Sequence, residues 1–104
     1  MMLLAGFDWD RGNREKCRKH GVSLPEIESV LRNRPLVAPD PGHSHSEDRF
    51  IAVGRSAAGR PLFVAFTFRV RNGRRYVRPI SARYMHQKEI ARYEKEESAK
   101  TDKR

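Results

Sequence analysis

Apolar side chains recur at helical spacing in the first third of the chain, alternate or cluster as strands in the middle, and return to helical spacing near the end. Asp10 can cap a first helix that runs through Cys17 and stops at Gly21, a residue suited to a left-handed exit. Ser23 and Glu26, three apart with Pro25 in the first turn, read as a capping box for a second helix, and Val22 with Ile27 as its hydrophobic staple. Leu24, Ile27, Val30 and Leu31 share one face of that helix, which Asn33 and Pro35 end, and the face should pack on a sheet. Pro35 to Asp48, with its prolines, glycine and histidines, reads as a loop. Arg49–Gly54 reads as a strand, Ser56–Gly59 as a turn and Pro61–Arg69 as a central strand buried on both faces. Asn72-Gly73 predicts a type I′ hairpin turn, because both residues accept positive φ, so a strand from about Arg75 to Ala82 should return antiparallel. Pro79 cannot donate to a ladder, which puts that strand at an edge or a bulge at that position. His86, Ile90 and Tyr93 align on a last helix from about Tyr84 to Glu97, with Arg92 and Glu96 spaced for a surface pair.

The resulting order, β-α-α-β-β-β-α, describes an α+β fold: a small antiparallel sheet with two N-terminal helices and one C-terminal helix. A length of 104 residues fits one domain over residues 1–97, with 98–104 a disordered basic tail. Cys17 has no second cysteine to pair with, which fits a reducing compartment such as the cytoplasm. The opening six residues are too short for a signal peptide, and no apolar run approaches a membrane span.

Charge changes the picture more than composition does. The formal net charge is +9, and between Arg49 and Lys88 there are ten cations and no aspartate or glutamate. Arg69, Arg71, Arg74, Arg75 and Arg78 lie in this window among Phe66, Phe68, Tyr76 and Tyr84. Such a stretch gathers a polyanion through bidentate guanidinium contacts and counterion release, and its aromatics can stack on bases. The plain alternative is a solvated basic face that serves solubility.

Phe7-Asp8-Trp9-Asp10, Lys19-His20-Gly21-Val22-Ser23, Asp40 with His43-Ser44, Glu47 and Arg49, Gly59-Arg60, Ile80-Ser81-Ala82-Arg83, and Glu89 with Tyr93-Glu94 succeed one another in an order that resembles the BrnT family of toxins. The resemblance spans about Phe7 to Glu94; Pro79 and Met85-His86 depart from the family's commoner residues. It implies a RelE-like ribonuclease fold, RNA as substrate, and neutralisation by a BrnA-like antitoxin with a DNA-binding region. It also implies that the pair binds operator DNA to repress its own two-gene operon. A noncatalytic nucleic-acid-binding or antitoxin-binding module of the same fold is the competing reading.

RNA carries its own nucleophile, the 2′-hydroxyl, so cleavage needs a proton acceptor, a charge stabiliser and a proton donor, and no metal or other cofactor. Arg83, at the end of the last strand, is the first candidate for a phosphate clamp, with Arg49 as its companion. Either could instead pair with Glu47 or Glu89 to fasten a helix to the sheet. Glu47, His43, His20 and Lys19 are the proton-transfer candidates, although His20 could simply close the first helix and Glu47 could orient Arg49. His43 and His45 sit in a loop near Asp40 and Asp48 without a matching ligand pair elsewhere, so no metal site is expected. Cys17 reads as a small helix residue rather than a nucleophile, and Tyr93 as core.

Overall fold

Among the described residues the elements run β1 (Gly6–Phe7), α1 (Arg11–Arg18), α2 (Leu24–Arg32), β2 (Leu36–Pro39), β3 (Phe50–Arg55), β4 (Pro61–Arg71), β5 (Arg74–Tyr84) and α3 (Gln87–Asp102). The computed structural model describes residues 4–40 and 47–102, and side chains as far as residue 99. The fold is α+β, with one sheet in the order β1-β5-β4-β3-β2.

Three features differ from the sequence expectation. Leu36–Pro39, read as loop, pairs antiparallel with β3 from Leu36↔Val53 to Pro39↔Phe50. It lies at the sheet edge, where a proline without an N–H is tolerated. The sheet is not wholly antiparallel, since β1 pairs parallel with β5 at Gly6↔Tyr76 and Phe7↔Val77. Helix α3 continues past Glu97 to Asp102, through much of the segment expected to be a disordered tail.

Local signals explain both N-terminal helices. Asp10 caps α1 by accepting from the Asn13 N–H at 3.0 Å, and the Asn13 amide oxygen accepts from the Asp10 N–H at 2.7 Å. Ser23 and Glu26 make the corresponding box on α2, and Val22 and Ile27 are both buried. Val30 lies so near Gly54 that a Cβ there would sit 3.1 Å from its Cγ1, a tight contact that glycine spares where α2 meets β3. Ile27, Val30, Val22 and Cys17 pack with Ala52, Leu62, Val64, Phe66, Val77 and Ala82 to form the core. At the hairpin, Asn72 and Gly73 have φ of 52° and 72°, the paired positive values that a type I′ turn requires.

Pro79 proves to satisfy both of its alternatives. Ala65 pairs with Ser81 and Phe66 with Pro79, so Ile80 is an extra residue without a partner on β4, which is a bulge. Strand β1 covers β5 only at Tyr76 and Val77, and among the described residues no strand covers the outer edge beyond them. Asn13 closes that edge: its buried Nδ2 donates to the Pro79 carbonyl at 2.8 Å and to the Asp8 carbonyl at 2.9 Å. Helix α1 is thereby pinned against β5.

Replacing Asn13 by alanine leaves two carbonyls without their donor and removes half the capping box. We expect a loss of about 1–3 kcal/mol, the cost of an unmet buried hydrogen-bonding group. Urea unfolding should show a lower midpoint with an unchanged slope; an unaltered midpoint would mean that the amide does not hold α1.

Candidate nucleic-acid interface

Alternation along β4 sends Leu62, Val64 and Phe66 to the helix-covered core and Phe63, Ala65, Thr67 and Arg69 to the other face. On β5 the same alternation alone would put Arg78 and Arg83, five apart, on opposite faces. The extra residue at Ile80 reverses the parity, so Ser81 and Arg83 join Arg78 beneath α3 and beside α1, while Val77, Pro79 and Ala82 all face inward. Register then stacks Val53, Phe63 and Arg83 in one row, and Ile51, Ala65 and Ser81 in the next.

Among the cavities that the described residues form on this face, two receive arginines from the strands. The upper one, about 420 Å³, has a floor of small or apolar groups, Ile51, Ala65 and Ser81, bordered by Phe63, His20, Arg83 and Glu89. The lower one, about 310 Å³, is lined by Gly12, Asn13 and Lys16 of α1, by Glu47 and Arg49 ahead of β3, and by Arg69, Arg78 and Ile80.

Carboxylates distant in sequence return to the cationic window. Arg83 makes two bonds of 2.9 Å to Glu89 and one of 3.2 Å to the Tyr84 carbonyl, and its guanidinium lies 4.5 Å from the Phe63 ring centre. Arg55 binds Glu97 at 2.9 Å and Glu94 at 3.4 Å, so α3 is fastened to the sheet by ion pairs and by the buried Tyr93. Asp8 meets Arg71 at 3.2 Å and Arg78 at 3.5 Å, and Asp10 meets Arg78 at 2.9 Å. Glu47 lies 3.3 Å from Arg69. The Arg69 Nε is buried and has no hydrogen-bond partner among the described residues, a donor for which the lower cleft can hold an acceptor.

Of the sequence candidates, Arg83 and His20 meet in the upper cleft, and Glu47, Arg49, Arg69 and Arg78 in the lower. Lys19 is exposed at the C-terminal end of α1 and lines neither cleft. Arg71 is tied to Asp8, and Arg74 is exposed beside the hairpin turn. Arg75 leans over Phe68, 3.9 Å from its ring centre, so it does not join the other arginines. His43 lies outside the described residues. The geometry adds Lys16, Asp8 and Asp10, which the cation-rich window did not include. Their signal was the helix itself, because Lys16 follows the pinned Asn13 by three residues on the same side. Cys17 is fully buried, and burial pushes its thiol up to about 11, unfit for a nucleophile.

The α+β fold thus presents, among the described residues, two clefts on one sheet face to which strand arginines contribute, chemistry of the kind that can hold a polyanion. The family model described as the ribonuclease toxin, BrnT, of a type II toxin-antitoxin system matches residues 9–89, and the chain belongs to that family. An RNA target and an antitoxin partner come with that family. No curated protein matches the chain. Among the described residues no helix is long and apolar enough to cross a membrane.

The Arg83 pair and the His86 N–H together hold the Glu89 carboxyl down at about 2. A carboxyl depressed on folding contributes stability above its ordinary range, and the contribution disappears as pH falls through the lowered value. Urea midpoints of the native protein and Glu89→Gln should therefore differ by a constant amount above about pH 5 and converge between there and pH 2. A pH-independent gap would mean that the pair does not titrate with folding.

Proposed function

We propose that this chain is a cytoplasmic endoribonuclease that cleaves RNA by attack of the 2′-hydroxyl, without a metal. A BrnA-like antitoxin silences it, and the antitoxin's DNA-binding region takes the pair to its own operator. The observation that carries the reading is the lower cleft. There Glu47 stands beside Arg69, whose buried Nε meets no acceptor among the described residues, in a cavity shared with Arg49. A phosphate oxygen supplies that acceptor, and the guanidinium groups balance the charge of the phosphorane. Glu47 takes the 2′-hydroxyl proton, held in place by its arginine. Arg83 uses three of its five donors on Glu89 and Tyr84, which leaves two to hold a neighbouring phosphate in the upper cleft, which His20 also lines. The competing noncatalytic module draws support from the ion pairs themselves, since arginines tied to carboxylates also serve pure binding.

Purified protein should degrade RNA in excess chelator and leave cyclic phosphate or 3′-phosphate ends; activity that needs a divalent ion would contradict the proposal. Arg69→Ala should lower cleavage by about 10²–10³-fold, the usual effect of removing one charge stabiliser. Arg83→Ala should also lose cleavage, whereas Glu89→Gln, whose amide oxygen still accepts from Arg83, should retain most of it. Equal losses in the two would mark Arg83 as a fastening for α3 only. Expression without the antitoxin should arrest growth if the chain is a nuclease and not if it only binds.

An acidic inhibitor fits the same face. The complex should comigrate in size-exclusion chromatography and exclude RNA, and it should form faster at low salt while persisting at moderate salt once made. Undiminished RNA binding by the complex would rule out occlusion of the clefts.

A further inference from the structure

The cleavage reading leaves one role unfilled, the proton donor to the departing 5′-oxygen. Arginine clamps phosphate well but does not release a proton at any working pH. Three of the cations lining the lower cleft, Arg49, Arg69 and Arg78, are therefore excluded as acids. They are also engaged: Arg69 with Glu47, and Arg78 with Asp8 and Asp10. His20 stands in the other cleft. Lys16 lines the same cavity and has no side-chain hydrogen bond or ion pair among the described residues. Its backbone is fixed on both sides, by Asn13 bonded to the Pro79 carbonyl and by the fully buried Cys17. A turn of helix held in place thus brings Lys16 to the cavity that Glu47 also lines.

We propose that Lys16 is the general acid of this reaction, a catalytic residue that touches the leaving group; the proposal rests on the RNA-cleavage reading above. Glu47 takes the proton of the 2′-hydroxyl as the 2′-oxygen bonds to phosphorus. The bond from phosphorus to the 5′-oxygen breaks, and the leaving oxygen takes a proton from the Lys16 ammonium. The products are a 2′,3′-cyclic phosphate and a 5′-hydroxyl. Exchange with water returns a proton to Lys16 and removes one from Glu47. The acid comes from α1 and the base from the segment ahead of β3, so one cavity receives the two groups from separate elements.

The test uses leaving-group chemistry. Once the linkage cut by the native protein is mapped, the same oligonucleotide is made with sulfur replacing the bridging 5′-oxygen there. A thiolate leaves without needing a proton. Lys16→Met should slow single-turnover cleavage of the oxygen linkage by about 10²-fold or more, the usual worth of a positioned acid. The sulfur linkage should be cut within a few-fold of the native rate. Lys16→Arg keeps the charge and cannot serve as the acid, so it should show the same split. Lys16→Gln, as a second neutral variant, and melting curves guard against misfolding of an exposed position. Equal losses on both substrates, full activity of Lys16→Arg on oxygen, or no loss in Lys16→Met would each overturn the assignment. A native protein that cleaves neither substrate would instead overturn the ribonuclease reading itself.

Discussion

One extra residue in β5 sets which side chains meet. Strand side chains alternate strictly, and without Ile80 out of step, either Val77 and Pro79 or Ala82 would be turned out of the core. The same slip brings Arg78 and Arg83 to one face. Core and clefts are therefore satisfied by a single irregularity, and Pro79 favours it there because it has no N–H to keep the ladder regular. Asn13 then completes the arrangement by taking the carbonyl that the bulged edge leaves open.

Charge on the cleft face is shaped by pairing across long stretches of chain. The window from Arg49 to Lys88 holds no carboxylate, yet Asp8 and Asp10 reach it from the N-terminal side and Glu89, Glu94 and Glu97 from the C-terminal side. Exposed pairs of this kind add little stability. Their larger effect is orientation, because a guanidinium held on one edge presents its remaining donors in a fixed direction. The field that a polyanion meets is accordingly weaker and more directional than +9 suggests.

Elements that depend on neighbouring residues were legible in the sequence. The capping box of Ser23 and Glu26, the staple of Val22 and Ile27, the Asn72-Gly73 turn and the disturbance at Pro79 all involve groups within a few positions of one another. What escaped depends on partners far along the chain. Leu36–Pro39 becomes a strand only because β3 offers it an edge, and its two flanking prolines hide it. Arg71 and Arg75 look alike in the sequence, but one turns to Asp8 and the other lies on Phe68. The gathering of Glu47, Arg49, Arg69 and Arg78 needs strand register, which no local pattern states. Lys16 stood outside the cation-rich window and drew no attention for that reason.

Asn13 and Pro79 are 66 residues apart, and Asp8 and Arg78 are 70 apart. During synthesis the first helix therefore emerges long before its acceptor exists. Glu89, which orients Arg83, emerges later still. A chain that ends before β5 has neither the β5 wall of the clefts nor the anchor for α1. Contacts this distant in sequence also close slowly. The clefts are thus completed only once β5, the last strand made, has paired with β4.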